Sequence, residues 1–244
     1  MRSGNPSLKD DKFIRTTSKD NGRLMTIQGT VNKTFILLLL VLATCVYSWN
    51  QFLHDPASAT PLILIGAIGG FITALITIFV PKISPITAPI YALLEGLFIG
   101  AISAQYEVQF GGIVFQAVLL TIGVLLSLLI AYKSSLIKVT QNFRLGVFAA
   151  TGAVFVVYLI SFIGSFFGFQ IPYLHEASPI GIAISAVIVI IAALNLVLDF
   201  DYIENAAAKR VPKYFEWYGA FGLLVTLIWL YLEILRLLSK IRSR

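Results

Sequence analysis

Long apolar runs alternate with short polar connections from about residue 31 to the end of the chain. Mostly apolar stretches lie at 31–52, 61–80, 87–104, 112–132, 146–169, 178–200 and 218–238. Each approaches or exceeds the length of about 20 residues that carries an α-helix across a hydrocarbon core. Seven membrane-spanning helices are therefore expected, joined by loops too short to hold a second folded domain. Residues 1–30 break this pattern. With "SGNPS" and "TTSKDNGR" they predict an extended or disordered polar arm, so the expected organisation is an arm at 1–30 and an all-α, polytopic seven-helix transmembrane domain at 31–244.

Composition agrees. Hydrophobic residues make up 58% of the 244 positions and charged residues only 12%, with a mean hydropathy of +0.88, far above a soluble domain with a polar surface. The lone cysteine, Cys45, sits inside the first apolar run and excludes a disulfide framework or a thiolate metal cluster. The small-residue triplet Ala57–Ser58–Ala59 after that run resembles a signal-peptidase site, but the polar arm in front is longer than a signal peptide carries.

The net charge of +6 informs topology more than partner choice, and no basic–aromatic array points to nucleic acid. Lys and Arg alternate between successive connections. Seven lie in the arm through Lys33, none at 50–60, one at 81–86, none at 105–111, three at 133–145, none at 170–177 and three at 201–217. The positive-inside rule then places the N terminus in the cytoplasm of a cell membrane. His54 and His175 fall in outside loops beside Asp55 and Glu176, either as solvated residues or as a pH-sensitive entrance. The last segment departs from the rule, because crossing carries Arg236, Lys240, Arg242 and Arg244 outside; crossing is favoured over re-entry by its length and lack of proline.

Three glycine pairs spaced by four, Gly66/Gly70, Gly96/Gly100 and Gly164/Gly168, are expected to permit close helix approach. Ionisable groups within spans are rarer and more informative, since each costs a few kcal/mol at the bilayer centre. They are Glu95 in the third span, Asp199 and Asp201 at the end of the sixth with Glu204 just beyond, and Glu233 in the seventh. No Lys or Arg occurs inside a span before Arg236 to neutralise them. A carboxylate without a cation in low dielectric favours its protonated form, so these acids are candidates for a proton-sensitive cation site. Asp201 and Glu204 share a helix face, and Asn195 precedes Asp199 by one turn, a stripe that could line a vestibule. No phosphate-binding loop, dinucleotide fingerprint, HExxH motif or intramembrane His supports an enzyme, and no seventh-span lysine supports a retinal Schiff base.

The stretches "PIYALLEGLFIGAIS" (89–103), "LVLDFDYIE" (196–204) and "PKYFEWYGAFGLLVTLIWLYLEILRLLSK" (212–240), together with the "RSGNPSLKDDKF" arm and "MTIQGTVNKTFILL" (25–38), resemble the Bax inhibitor-1 or YccA-like family (transmembrane Bax inhibitor motif proteins) in its bacterial branch. The resemblance covers essentially the whole chain. It implies a bundle with the C-terminal helix central among the other six, and a pH-sensitive calcium leak sensed by one aspartate on the sixth helix and one on the seventh. The sixth-helix acid maps onto Asp201, with Phe200 replacing the family's tyrosine; Asp199 is the alternative. On the seventh helix an ungapped alignment puts Thr226 at the second aspartate, whereas matching "LYLE" puts Glu233 there. Glu233 lies roughly 22 Å further along its helix than the level of Asp201, and Glu216 is nearer in depth.

Two functions compete. The first is a cation permeation protein, a calcium leak or Ca²⁺/H⁺ pathway with no cofactor, in which Glu95 and Asp201 carry the response and Asn195 and Thr226 are polar lining. The second is a non-conducting regulator of a membrane protease, which some relatives are. Single cysteines placed in the 50–60 and 170–177 loops of whole cells are expected to react with an impermeant maleimide from outside; protection of both loops overturns the topology.

Overall fold

The computed structural model describes residues 24–168, 171–172, 174 and 176–244; the first 23 residues of the expected arm, and His175, lie outside them. Seven helices follow in order: α1 (Ile27–His54), α2 (Pro56–Phe79), α3 (Ser84–Gln109, after a short 3₁₀ turn Pro81–Ile83), α4 (Ile113–Lys133), α5 (Gln141–Phe166), α6 (Pro179–Ala208) and α7 (Phe215–Arg242). All seven are long and apolar enough to cross a membrane. The chain is an all-α, multi-pass membrane protein, and its helices overrun the apolar windows at several ends because the first and last turns lie where water can reach them.

Local chemistry sets the helix starts. Thr26, Asp55, Thr140 and Ser178 each accept a hydrogen bond from a first-turn N–H of α1, α2, α5 and α6, which satisfies donors that a helix leaves orphaned. Pro56 and Pro179 occupy first-turn positions, where no N–H is required. At α4 the cap is Gly112, in a left-handed conformation. Glu107 of α3 supplies the missing acceptor, taking bonds from the N–H of Gly112 at 2.5 Å and of Val114 at 3.0 Å.

The C-terminal helix is the axis of the bundle. α7 packs against α6, α1, α4 and α3, and its Phe221, Leu224, Leu230, Ile234 and Leu235 are buried with Leu37, Val41, Tyr91, Ala92 and Leu196 of its neighbours. Tyr91 meets Phe221 edge-on at 5.0 Å between ring centres. α7 is unbroken over 28 residues, about 42 Å at 1.5 Å per residue. Its start adjoins Thr26, Lys33 and Ser84 and its end adjoins residues 110–116 and 174–185. It therefore runs from one end of the bundle to the other and does not re-enter. The end where α1 begins is termed proximal below, and the other distal.

Two of the three glycine pairs are packing devices. A Cβ on Gly66 would come within 2.7 Å of Leu94 O and Phe98 N on α3, while one on Gly96 or Gly100 would strike the backbone of α1 at Val41 or Cys45. The third pair differs: Gly168 lies beyond the end of α5 with φ +72°, the left-handed conformation that terminates helices. Gly100→Val is expected to lower thermal stability in detergent by roughly 1–3 kcal/mol, whereas Gly123→Val, which meets open space, should leave the melting temperature unchanged; differential scanning fluorimetry of both variants is the check.

Candidate functional site

At the proximal end a cavity of about 780 Å³ lies between α2 and α5, backed by α6 and α7. Ala74 and Ile78 form one side and Arg144, Leu145 and Phe148 the other; Asn195, Asp199, Asp201, Gly222 and Thr226 belong to the back wall.

The acids of α6 do not share a face. The buried stripe of this helix runs through Ser185, Ile188, Ala192, Leu196 and Ile203, in steps of three, four and seven, and Asp199 continues it. Its Oδ1 lies where a side chain on Gly222 of α7 would be met at 3.9 Å. The Thr226 side chain, one turn further along α7, is the hydrogen-bonding group that faces it, and the Thr226 hydroxyl itself donates to Gly222 O at 3.2 Å. Asp199 Oδ2 is sealed from solvent and has no hydrogen-bond partner among the described residues. Asp201, rotated about 200° from Asp199, instead accepts from Arg144 Nη2 of α5 at 2.6 Å. Glu204 turns to a third neighbour, accepting from Tyr132 Oη at 2.7 Å and Lys133 Nζ at 3.4 Å on α4. Mapping the α6 acid onto Asp201 implied a carboxyl turned toward α7; Asp199 takes that place and Asp201 faces α5, and the expected helix end at these acids is also corrected, since α6 continues to Ala208.

The other candidates stand apart from this cavity. Glu95 packs in the α2–α3 contact, where a Cβ on Gly70 would lie 2.9 Å from its Oε1, with Tyr91 one turn earlier as its hydrogen-bonding neighbour. Glu216, 1% exposed, accepts from the N–H and the hydroxyl of Thr26 at 3.0 Å each and forms an ion pair with Lys33. Glu233, 2% exposed, lies distally; Arg236 Nη1 donates to it at 2.9 Å, Tyr158 Oη at 2.9 Å and Trp229 Nε1 at 3.3 Å. Neither Glu216 nor Glu233 is a partner for the α6 acids. Asn195 lines the cavity and gives its NH₂ to Thr151 Oγ1 and Ile191 O, each at 2.8 Å. His54 is exposed in the last turn of α1.

The expectation of acids without cations holds for Glu95 and Asp199, which form no ion pair among the described residues, and fails for Asp201. Lys33 and Arg144 sit near the starts of α1 and α5, outside or at the margin of the apolar windows, and from there reach Glu216 and Asp201. At the distal end Lys240, 5% exposed, directs its ammonium at Leu174 O, Gly181 O and Ser185 Oγ at 2.7, 3.1 and 2.7 Å. Arg242 donates to Phe110 O, Gly111 O and Gln116 Oε1. The single signal in the sequence for these roles was the anomaly of cations after the last span.

A profile described as Bax inhibitor 1 like matches residues 5–243. No curated protein and no solved structure matches the chain.

The proximal clasp fastens residues 24–26, where Met25 N–H also donates to Val211 O at 2.9 Å. Removing one member of a buried ion pair costs about 3–5 kcal/mol. Glu216→Ala is accordingly expected to raise amide hydrogen exchange in residues 24–33 before the rest of α1 responds; unchanged exchange there shows that the clasp does not hold this segment.

Proposed function

We propose, for a chain that belongs to the Bax inhibitor 1 like family, that it is a cation permeation protein of the cell membrane: a pH-sensitive calcium leak gated at Asp199, with the N terminus and the proximal cavity facing the cytoplasm. The observation that carries this reading is the carboxyl oxygen of Asp199, which is left without a partner on the wall of a cavity that reaches in from one face of the bundle. Asp201 and Glu233, by contrast, are each paired with an arginine.

A hard cation prefers oxygen ligands. Asp199, the Thr226 hydroxyl and the amide oxygen of Asn195, left over after its NH₂ has bonded Thr151 and Ile191, are the oxygens that line its approach. On this reading the α6 acid is Asp199, the alternative to the Asp201 that the resemblance favoured, since Asp199 faces Thr226, the residue that the ungapped alignment sets in the second position. With threonine there, one carboxyl bears the whole proton response. A proton shifts a two-state equilibrium only by its differential affinity for the states; one pKa unit between them corresponds to about 1.4 kcal/mol and a tenfold change in open population.

A non-conducting protease regulator has no use for a cavity ending on an unpartnered acid, which favours permeation. Calcium flux into proteoliposomes across a pH series is the test. Asp199→Asn should flatten the pH dependence, while Asp201→Asn, which frees Arg144, should change the basal rate and keep the pH response. Parent-like pH dependence in Asp199→Asn at matched reconstitution sinks the assignment.

A further inference from the structure

The cavity has a polarity along the membrane normal that the cation reading does not use. Its proximal rim carries Arg144, in the first turn of α5, and Lys209, at the end of α6. The side walls on α2 and α5 are apolar: Ile78 lies in the last turn of α2, at the level of the rim, and Ala74 and Phe148 lie one turn further in than Ile78 and Arg144. Ile78 is 48% exposed, Leu145 61% and Phe148 78%. In spanning helices such exposure means contact with acyl chains, so the cavity opens sideways into the bilayer as well as toward its proximal face. Its volume of about 780 Å³ lies within the range of small-molecule sites and accommodates a headgroup with part of one chain.

The charges favour one occupant. Lys209 forms no ion pair among the described residues. Arg144 engages Asp201 through Nη2 alone, leaving its other guanidinium donors for an anion, and Asp201 is already offset by that contact. Asp199 lies on the back wall, about 3 Å of helix rise deeper than Asp201, and is turned toward α7. Tyr202 and Tyr218 add aromatic residues with hydroxyls at the level of the headgroups, where such rings concentrate.

We propose that this cavity binds one anionic phospholipid, its phosphate held between Arg144 and Lys209 and an acyl chain lying along Ile78 and Phe148 between α2 and α5. Basic pockets between spanning helices recognise anionic headgroups in this way. A zwitterionic headgroup brings its own ammonium to a rim that already holds two cations, and fits less well. The site stands whether or not the protein conducts, since occupancy is read without flux.

The test uses the full chain in mild detergent, titrated with phosphatidylglycerol, phosphatidylcholine or glycerol phosphate and read by native mass spectrometry. One phosphatidylglycerol should be retained in preference to phosphatidylcholine, and glycerol phosphate, lacking chains, should not compete. Lys209→Gln should weaken binding about fivefold, the equivalent of about 1 kcal/mol for one basic residue near an anionic headgroup. Phe148→Trp, which fills the apolar side with both cations intact, should lower retention too, and Lys138→Gln, in the α4–α5 loop, should not. Both informative positions are exposed, so the variants should fold, and an unchanged elution volume verifies it. Equal retention of the two lipids, parent-like binding by Lys209→Gln and Phe148→Trp, or effective competition by glycerol phosphate overturns the proposal.

Discussion

Every charge that a helix carries into the bilayer must find a partner inside the protein, because lipid offers none, and α7 is arranged around that requirement. At its start Glu216 holds Lys33 and Thr26 of α1. Near its end Glu233 holds Arg236 and Tyr158, and Lys240 and Arg242 reach the loops before α6 and α4. These contacts pin the axis of the bundle at both ends, while the stretch between them is mostly apolar, with Tyr231 Oη bonded to Ser103 Oγ of α3 at 2.6 Å. Lys240 has no carboxylate partner, yet its three N–H groups meet three oxygens, so the desolvation of its ammonium is offset by hydrogen bonds. Lys240 and Arg242, two of the four cations that contradict the positive-inside pattern, are in this sense internal: they bind the protein's own carbonyl and side-chain oxygens, and their count says little about which side they face.

Seven spans and a central last helix were legible in the sequence, the first from the apolar runs and the second from family resemblance. The rotational phase of α6 was not. Its residues are apolar on nearly every side from Ile180 to Leu198, so no face could be marked as inner before the neighbours were known, and the assignment of Asp201 to α7 had no periodicity to support or oppose it. Once the buried stripe through Ala192, Leu196 and Ile203 is visible, Asp199 follows from helix geometry. The ion pairs were hidden too: Arg144 was counted with a loop when it is a first-turn residue of α5, and Lys33 with the arm when it lies in the second turn of α1.

The cluster of acids at 199, 201 and 204 therefore has no common purpose. Asp199 faces α7, Asp201 ties α6 to α5 and Glu204 ties it to α4. Two of the three are fasteners whose partners satisfy them. The third is set apart because α7 presents Gly222 and Thr226 opposite it: one supplies space and the other a single hydroxyl, already committed in part to its own backbone. Depth alone does not distinguish a functional carboxyl from a structural one in this bundle, since Glu216 and Glu233 are more buried than Asp201. What sets Asp199 apart is one sealed oxygen, Oδ2, with no hydrogen-bond partner among the described residues.

That distinction bears on which part of the bundle can respond. α5 rests mainly on α6, and three of its polar contacts fall at seven-residue intervals: Arg144 to Asp201, Thr151 to Asn195 and Tyr158 to Glu233. Val147 and Val154 are buried between them. Side-chain hydrogen bonds between helices in lipid contribute about 0.6–2 kcal/mol each, so a helix held along one narrow seam is more readily displaced than α7, which is enclosed along most of its length. α5 is also a side wall of the cavity, and the first of its three contacts lies at the rim. A change of charge at Asp201 or an anion competing for Arg144 thus acts on the most weakly attached element, while a proton on Asp199 acts against the most firmly held. The two perturbations enter one cavity at its back wall and at the side wall that α5 forms.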